Sequence, residues 1–190
     1  MKIFQGAFIN NAWVQDETQT LDDIEVINPA TEEIIGKVSN GDKILAEKAL
    51  QAAEKSYHKW SQISLKEREA FILKYQACLL EHQDEILDLL MLETGKIQAN
   101  AQYDFEMLVN CLTFHVEEVR RNFSTVFPED GQTLSYTKHS PVGVVVAILT
   151  WNFPLLNLGY KLGPILASGC TCVIKPSELT PLGNKSESEF

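Results

Sequence analysis

The chain has 190 residues, 45% hydrophobic and 22% charged, a balance that calls for a buried core and excludes a disordered chain. Sixteen Lys and Arg against 26 Asp and Glu give a formal charge of −10 at pH 7, with no dense basic cluster to offset it. Such a surface repels nucleic acid and anionic membranes, so neither is an expected partner.

The longest apolar run, Val142 to Leu149, has the length of a strand and falls well short of a membrane span. The first residues, Met1 to Gly6, lack the apolar core of a secretory signal. Cys78, Cys111, Cys170 and Cys172 show no disulfide framework for a chain of this size, and a cytoplasmic location is the expectation.

Residues 7 to 38 read as β-rich. Ala7-Phe8-Ile9 and Ala12-Trp13-Val14 flank Asn10-Asn11, a pair able to take the positive φ of a tight hairpin turn. Ile24 to Ile27 alternates and stops at Asn28-Pro29, and Glu33 to Val38 resumes as a strand. Helical spacing takes over at Asp42, with Ile44, Leu45, Ala49, Ala52, Ala53 and Trp60 on one face. Ser64-Leu65-Lys66-Glu67 is a capping box that opens a helix to about Glu81. A further helix is expected from Asp84 to Glu93, stopped by Thr94-Gly95, since glycine takes the left-handed conformation of a helix end. The next runs from Gln98 to Phe123, with Tyr103, Met107, Leu108, Cys111, Leu112 and His115 inward. Phe127 to Gly131 breaks the helical pattern, and Thr133 to His139 alternates like an exposed strand.

The stretch from Pro141 to Glu178 predicts a βαβ unit. Val142 to Leu149 is β-branched and apolar at both alternations, as expected of a parallel strand covered on both faces. Pro154 suits a first helical turn, Pro164 is expected to kink or restart that helix, and Gly169 ends it. Cys170 to Ile174 forms the second strand. The fold class is therefore α/β: the start of a Rossmann-like parallel sheet, preceded by a small hairpin region and a layer of long helices. Leu182 to Phe190 is polar and aperiodic and reads as a disordered tail, so the folded part is taken as residues 1–182 and the tail as 183–190.

Ligands of such sheets collect beyond the carboxyl ends of the strands, which groups Thr150, Trp151 and Asn152 with Lys175, Ser177 and Glu178. An amide such as Asn152 can donate to a developing oxyanion. Lys175 can bond ribose hydroxyls or phosphate, and Glu178 can accept from a ribose diol, which favours NAD over NADP. No G-x-G-x-x-G joins strand to helix, and a Lys and a Glu just past a strand are commonly solvated loop residues. Cys170 and Cys172 share a strand face, but no second ligand pair accompanies them and no metal site is expected.

The ordered set of motifs resembles the amino-terminal part of the NAD(P)-dependent aldehyde dehydrogenase family. The likeness spans residues 7 to 182 and is carried by Phe8 to Val14, Asn28-Pro29-Ala30-Thr31 and Leu92-Glu93-Thr94-Gly95-Lys96. It continues through Pro141 to Val144, Trp151-Asn152-Phe153-Pro154, Lys161 to Pro164, Ala167 to Thr171 and Lys175 to Pro181. The resemblance implies that Asn152 helps hold a thiohemiacetal oxyanion. It places Leu149, Thr150 and Trp151 along the nicotinamide side of the cleft, and Lys175 and Glu178 at the adenosine ribose with Pro176 and Ser177 between them. Lys161 matches a lysine given a charge-relay role in some members; a structural ion pair is the other reading.

The family's reaction needs a cysteine thiolate nucleophile and a glutamate that activates water, both well downstream of the Lys175–Glu178 motif. Neither lies in this sequence, and the polar residues after Pro181 replace an expected amphipathic helix. The expectation is a segment that oxidises no aldehyde alone, carries an uncovered apolar sheet face and aggregates readily. The alternatives are one half of a split enzyme, paired with a complementary fragment, or a non-catalytic module that binds nucleotide or forms a homo-oligomer.

Overall fold

A computed structural model describes residues 2–4, 6–14, 23–121, 124–129 and 131–183. Its order is β1 (Lys2–Phe4), β2 (Ala7–Ile9), β3 (Ala12–Val14), β4 (Ile24–Ile27) and β5 (Ile34–Val38), then the helices α1 (Lys43–Trp60), α2 (Leu65–Glu81), α3 (Gln83–Thr94) and α4 (Gln98–Arg121). The unit β6 (Val144–Ile148), α5 (Pro154–Ser168) and β7 (Thr171–Lys175) closes the described fold. The fold is α/β, as expected.

Local chemistry sets most of the boundaries. Asn10 and Asn11 take φ of 52° and 61°, which turns β2 back onto β3 with Phe8 opposite Trp13. Asp42 caps α1 by accepting the Leu45 N–H at 2.8 Å. The Ser64–Glu67 capping box forms with both reciprocal bonds present. Gly95 ends α3 at φ 70°, where an added Cβ would also meet Pro29 Cγ at 3.0 Å. Small-sheet pairing is less local: β1 lies parallel to β5, which also pairs antiparallel with β4.

The main core gathers Ile72 and Leu79 of α2, Ile86 and Leu90 of α3, Phe105, Leu108 and Leu112 of α4, and Leu155, Leu158 and Ile165 of α5. Helices α4 and α5 touch through glycines one turn apart. A Cβ on Gly159 would meet Leu108 Cα at 3.0 Å, and one on Gly163 would meet the Cys111 carbonyl oxygen at 3.1 Å. Helix α1 is tied to the βαβ unit by Thr171 Oγ1 donating to the Ala53 carbonyl at 2.8 Å and Trp60 Nε1 donating to the Leu166 carbonyl at 3.2 Å.

Several expectations need correction. Tyr103 is exposed; the buried stripe of α4 is instead Ala101, Asp104, Phe105, Leu108, Cys111, Leu112 and Val116, at helical spacing. Ile44 is exposed too, and only Leu45 and Ala53 of α1 are fully buried. The strand β6 is covered on one face: Ala147 and Leu149 are buried, whereas Val146 and Ile148 are 54% and 70% exposed. Its apolar alternation therefore marks one packed face and one bare one. Helix α5 runs without interruption from Pro154 to Ser168, so it does not restart at Pro164; the amide that proline lacks would have met the carbonyl of Tyr160.

Strand β7 starts at Thr171, one residue after the expected Cys170. Of the strand expected over Thr133 to His139, a single bridge forms, Val126 to Tyr136, flanked by Phe127 N–H to Ser135 O and Thr137 N–H to Thr125 O, each at 2.9 Å. The expected helix end at Phe123 and residues 184–190 of the expected tail lie outside the described residues. Leu182 and Gly183, read as the beginning of that tail, are buried, and Leu182 packs with Val26, Val38 and Leu89.

Candidate functional site

Strands β6 and β7 run parallel in register, Ile148 beside Lys175, so the segments leaving them emerge side by side. The Leu149 N–H donates to the Lys175 carbonyl at 3.0 Å and prolongs the pairing by one bond. Beyond it, Thr150, Trp151 and Asn152 are all exposed, and Pro154 opens α5 at its first turn.

The Asn152 amide is held in one orientation. Asn157 Nδ2, in the first turns of α5, donates to Thr150 Oγ1 at 2.7 Å, and that hydroxyl donates to Asn152 Oδ1 at 2.9 Å. The Asn152 Nδ2 donors have no partner among the described residues. Asn157 escaped sequence reading; the only signal was its placement one helical turn beyond Pro154.

Past β7, Lys175 and Glu178 are exposed and face each other, Nζ to Oε2 at 3.4 Å, and Nζ also donates to the Pro176 carbonyl at 2.9 Å. The Glu178 backbone N–H, then the Lys175 ammonium, hold the Glu178 carboxyl below the usual carboxylate range. The two therefore offer an anionic acceptor beside a cationic donor at the strand end.

The remaining predicted residues divide differently. Leu149 and Ser177 are buried, and the Ser177 hydroxyl accepts the Leu179 N–H at 3.3 Å within its own loop. Pro176 is half-buried and borders an apolar groove of about 610 Å³ between α1, the β2–β3 hairpin and α5. Lys161 is exposed on α5. Burial pushes the Cys172 thiol up to about 11 and raises that of Cys111, and Cys170, two residues before Cys172, is also buried. No described group of three or more His, Cys, Asp or Glu is arranged to hold a metal ion.

Two buried carboxylates, Glu93 of the Leu92–Lys96 motif and Asp104, which sequence reading passed over, lie behind the site. Asp104, with no exposed surface, accepts the Leu156 N–H at 2.7 Å and Lys96 Nζ at 2.5 Å. Glu93 accepts the N–H groups of Leu182 at 2.6 Å and Gly183 at 3.0 Å. Burial pushes the Glu93 carboxyl up to about 7 against those two bonds, and the nearby Asp104 adds to the rise. Burial likewise raises Asp104, opposed by Lys96 and the Leu156 N–H.

A model of the aldehyde dehydrogenase family matches residues 13–184. A glutarate-semialdehyde dehydrogenase of Pseudomonas putida is 36% identical over 180 residues, which cover 93% of this chain and 37% of that protein. A cytosolic aldehyde dehydrogenase of Mus musculus is 36% identical across 92% of this chain and 35% of its own length. Among solved structures, an E. coli NADP-dependent enzyme superposes with a TM-score of 0.92 at 31% identity, over 97% of this chain and 38% of that one. A betaine aldehyde dehydrogenase of Staphylococcus aureus in complex with NAD+ gives a TM-score of 0.90 at 31% identity, over 98% and 38%. The chain spans somewhat over a third of the length of these relatives.

Proposed function

Because the chain belongs to the aldehyde dehydrogenase family, we propose that it supplies one side of a nicotinamide-cofactor cleft in an enzyme oxidising an aldehyde to a carboxylic acid. The observation that carries this reading is the oriented Asn152 amide beside the Lys175–Glu178 pair, at the carboxyl ends of two parallel strands.

The residues present fit a dinucleotide. Lys175 and Glu178 are solvent-facing and close enough to bond adjacent ribose hydroxyls, the ionised Glu178 accepting and Lys175 donating. Glu178 would repel a 2′-phosphate, which supports NAD as the preferred form, with NADP as the other. Pro176 and Ser177 fix the loop between them, and Leu149, Thr150 and exposed Trp151 form the wall on the nicotinamide side. When bound, the cofactor supplies the hydride acceptor.

Asn152 works by charge stabilisation. Its Nδ2 donors face outward with Oδ1 occupied by Thr150, ready for an oxyanion formed on an aldehyde carbon. Lys161, exposed on the same helix, would act as a charge-relay group. The chain's own thiols are poorly suited as nucleophiles, since burial holds Cys111 and Cys172 in the protonated form. We therefore infer that the thiolate and the general base of the reaction come from outside these 190 residues. The bare Val146–Ile148 face of β6 is where the rest of the family fold would pack over the sheet. Homo-oligomerisation through the Thr133–His139 segment is the competing arrangement, and the four free thiols support a reducing, cytoplasmic setting.

Reconstitution tests the proposal. The purified chain, mixed with a polypeptide carrying the rest of the family fold, should reduce NAD+ with an aldehyde, and neither part should do so alone. Asn152→Ala in the mixture should lower kcat by about 10²- to 10³-fold. Thiol-dependent NADH formation by the isolated chain would overturn the need for a partner, and an Asn152→Ala mixture as active as wild type would overturn the oxyanion role.

A further inference from the structure

The turn Glu93–Thr94–Gly95–Lys96 joins α3 to α4, far in sequence from the two strand ends, yet both segments leaving those strands terminate on it or on α4. Helix α5 begins at an N-cap, Phe153, that offers no side-chain acceptor. The acceptor comes instead from α4: Asp104 Oδ1 takes the Leu156 N–H, one of the orphan donors of the first turn. Asp104 Oδ2 is bonded to Lys96 Nζ, and that ammonium lies 4.1 Å from the Phe153 ring centroid. On the other side, Glu93 takes the Leu182 and Gly183 N–H groups, and an added Cβ at Gly183 would come within 2.9 Å of Glu93 Oε1.

These bonds close two short loops. The first end of each loop is the same contact, Leu149 N–H to Lys175 O. The Thr150–Phe153 turn is then held again at Leu156 by Asp104. The Pro176–Pro181 segment is held again at Leu182 and Gly183 by Glu93. Inside that second segment the Leu179 and Thr180 amides make only long contacts with Ser177, Thr180 N–H to its carbonyl and Leu179 N–H to its Oγ, both 3.3 Å. Two carboxylates withdrawn from water at a cost thus fix the ends of these segments, Asp104 through the first turn of α5 and Glu93 through the backbone at Leu182 and Gly183.

We propose that Glu93 and Asp104 are positioning residues of the cleft: Asp104, with Lys96, fixes the turn that carries Asn152, and Glu93 fixes the segment that carries Glu178. The proposal rests on the reading above only for the identity of the ligand, and its test separates the two. Amide hydrogen exchange in the 190-residue chain is compared between wild type, Glu93→Ala, Glu93→Gln, Asp104→Ala and Asp104→Asn.

Glu93→Ala should accelerate exchange at Leu179, Thr180, Leu182 and Gly183 at least tenfold while Leu108 and Leu112 in α4 keep wild-type rates. Glu93→Gln, which retains a carbonyl acceptor, should fall between them. Asp104→Ala should do the same at Leu156 and Asn157 and shift the Asn152 side-chain amide resonances, with Asp104→Asn partly restoring them. Unchanged rates at these amides, or an equal rise across α4, would overturn the proposal; where an alanine variant does not fold, the Gln and Asn variants decide on the same criteria. Titration with NAD+ completes the separation. No NAD+-induced shift at Lys175 and Glu178 in wild type refutes the ribose reading alone, while a shift in wild type that Glu93→Ala reproduces with the same affinity refutes positioning.

Discussion

Replacing Gly159 by alanine tests how closely the two helices behind the site approach. Alanine is the better helix former by about 1 kcal/mol, so propensity alone makes the variant more stable. Packing opposes this. The new methyl would lie 3.0 Å from Leu108 Cα, 3.1 Å from Cys111 Cβ and 3.3 Å from the Leu108 carbonyl oxygen. An unstrained carbon contact is about 3.5–4.0 Å, so α4 and α5 must separate by about 0.5 Å or more. The nearest atoms belong to the α4 backbone and cannot rotate aside. Overpacking of this kind costs about 1–3 kcal/mol, and with two backbone contacts the upper half of that range applies. The net expectation is a loss of about 1–2 kcal/mol, or about 2–8 °C in Tm for a chain of this size. Urea titration followed by far-ultraviolet circular dichroism measures it. Gly41→Ala serves as the control, because its methyl meets only the flexible tip of Leu45 at 3.4 Å, and its effect should stay within about 0.5 kcal/mol. A Gly159→Ala chain more stable than wild type would refute the close crossing.

Two further outcomes concern the buried charges. The raised Glu93 carboxyl stabilises the fold fully below the unfolded value of 4.5, and that stability is lost as pH rises through about 7. Relative to Glu93→Gln, wild type should therefore lose about 3 kcal/mol between pH 4.5 and 8; parallel pH–stability curves would show that Glu93 ionises freely. Lys96→Met removes the partner of fully buried Asp104 and should cost about 3–5 kcal/mol by equilibrium unfolding. A cost below about 1 kcal/mol would mean that the pair is solvated.

Features dictated by neighbouring residues were legible in the sequence. The Asn10-Asn11 hairpin, the Ser64–Glu67 box and the Gly95 stop depend on contacts within four residues and form as expected. The motif positions at Asn152, Lys175 and Glu178 were equally visible, since strand, turn and helix follow one another there. Tyr103 was misplaced because hydrophobic periodicity assigns an aromatic to the core before a carboxylate; Asp104 takes that place because Lys96 and the Leu156 N–H, 52 residues away, satisfy it. Leu182 and Gly183 were misread for the same reason, as their acceptor lies 89 and 90 residues earlier. The bare face of β6 was invisible because an apolar alternation carries no mark of which side a helix will cover.

The Asn157–Thr150–Asn152 contacts have a direction. An amide nitrogen can only donate, so Asn157 leaves the threonine proton one place to go, the Asn152 oxygen. Turning the Asn152 amide over would set its NH2 against that same proton. The exposed end of the chain is therefore a donor by construction, and it welcomes a carbonyl oxygen or an oxyanion while giving an ammonium nothing to bond to. Polarity at the surface of this turn is thus decided one helical turn inside α5, by a side chain that need touch no ligand.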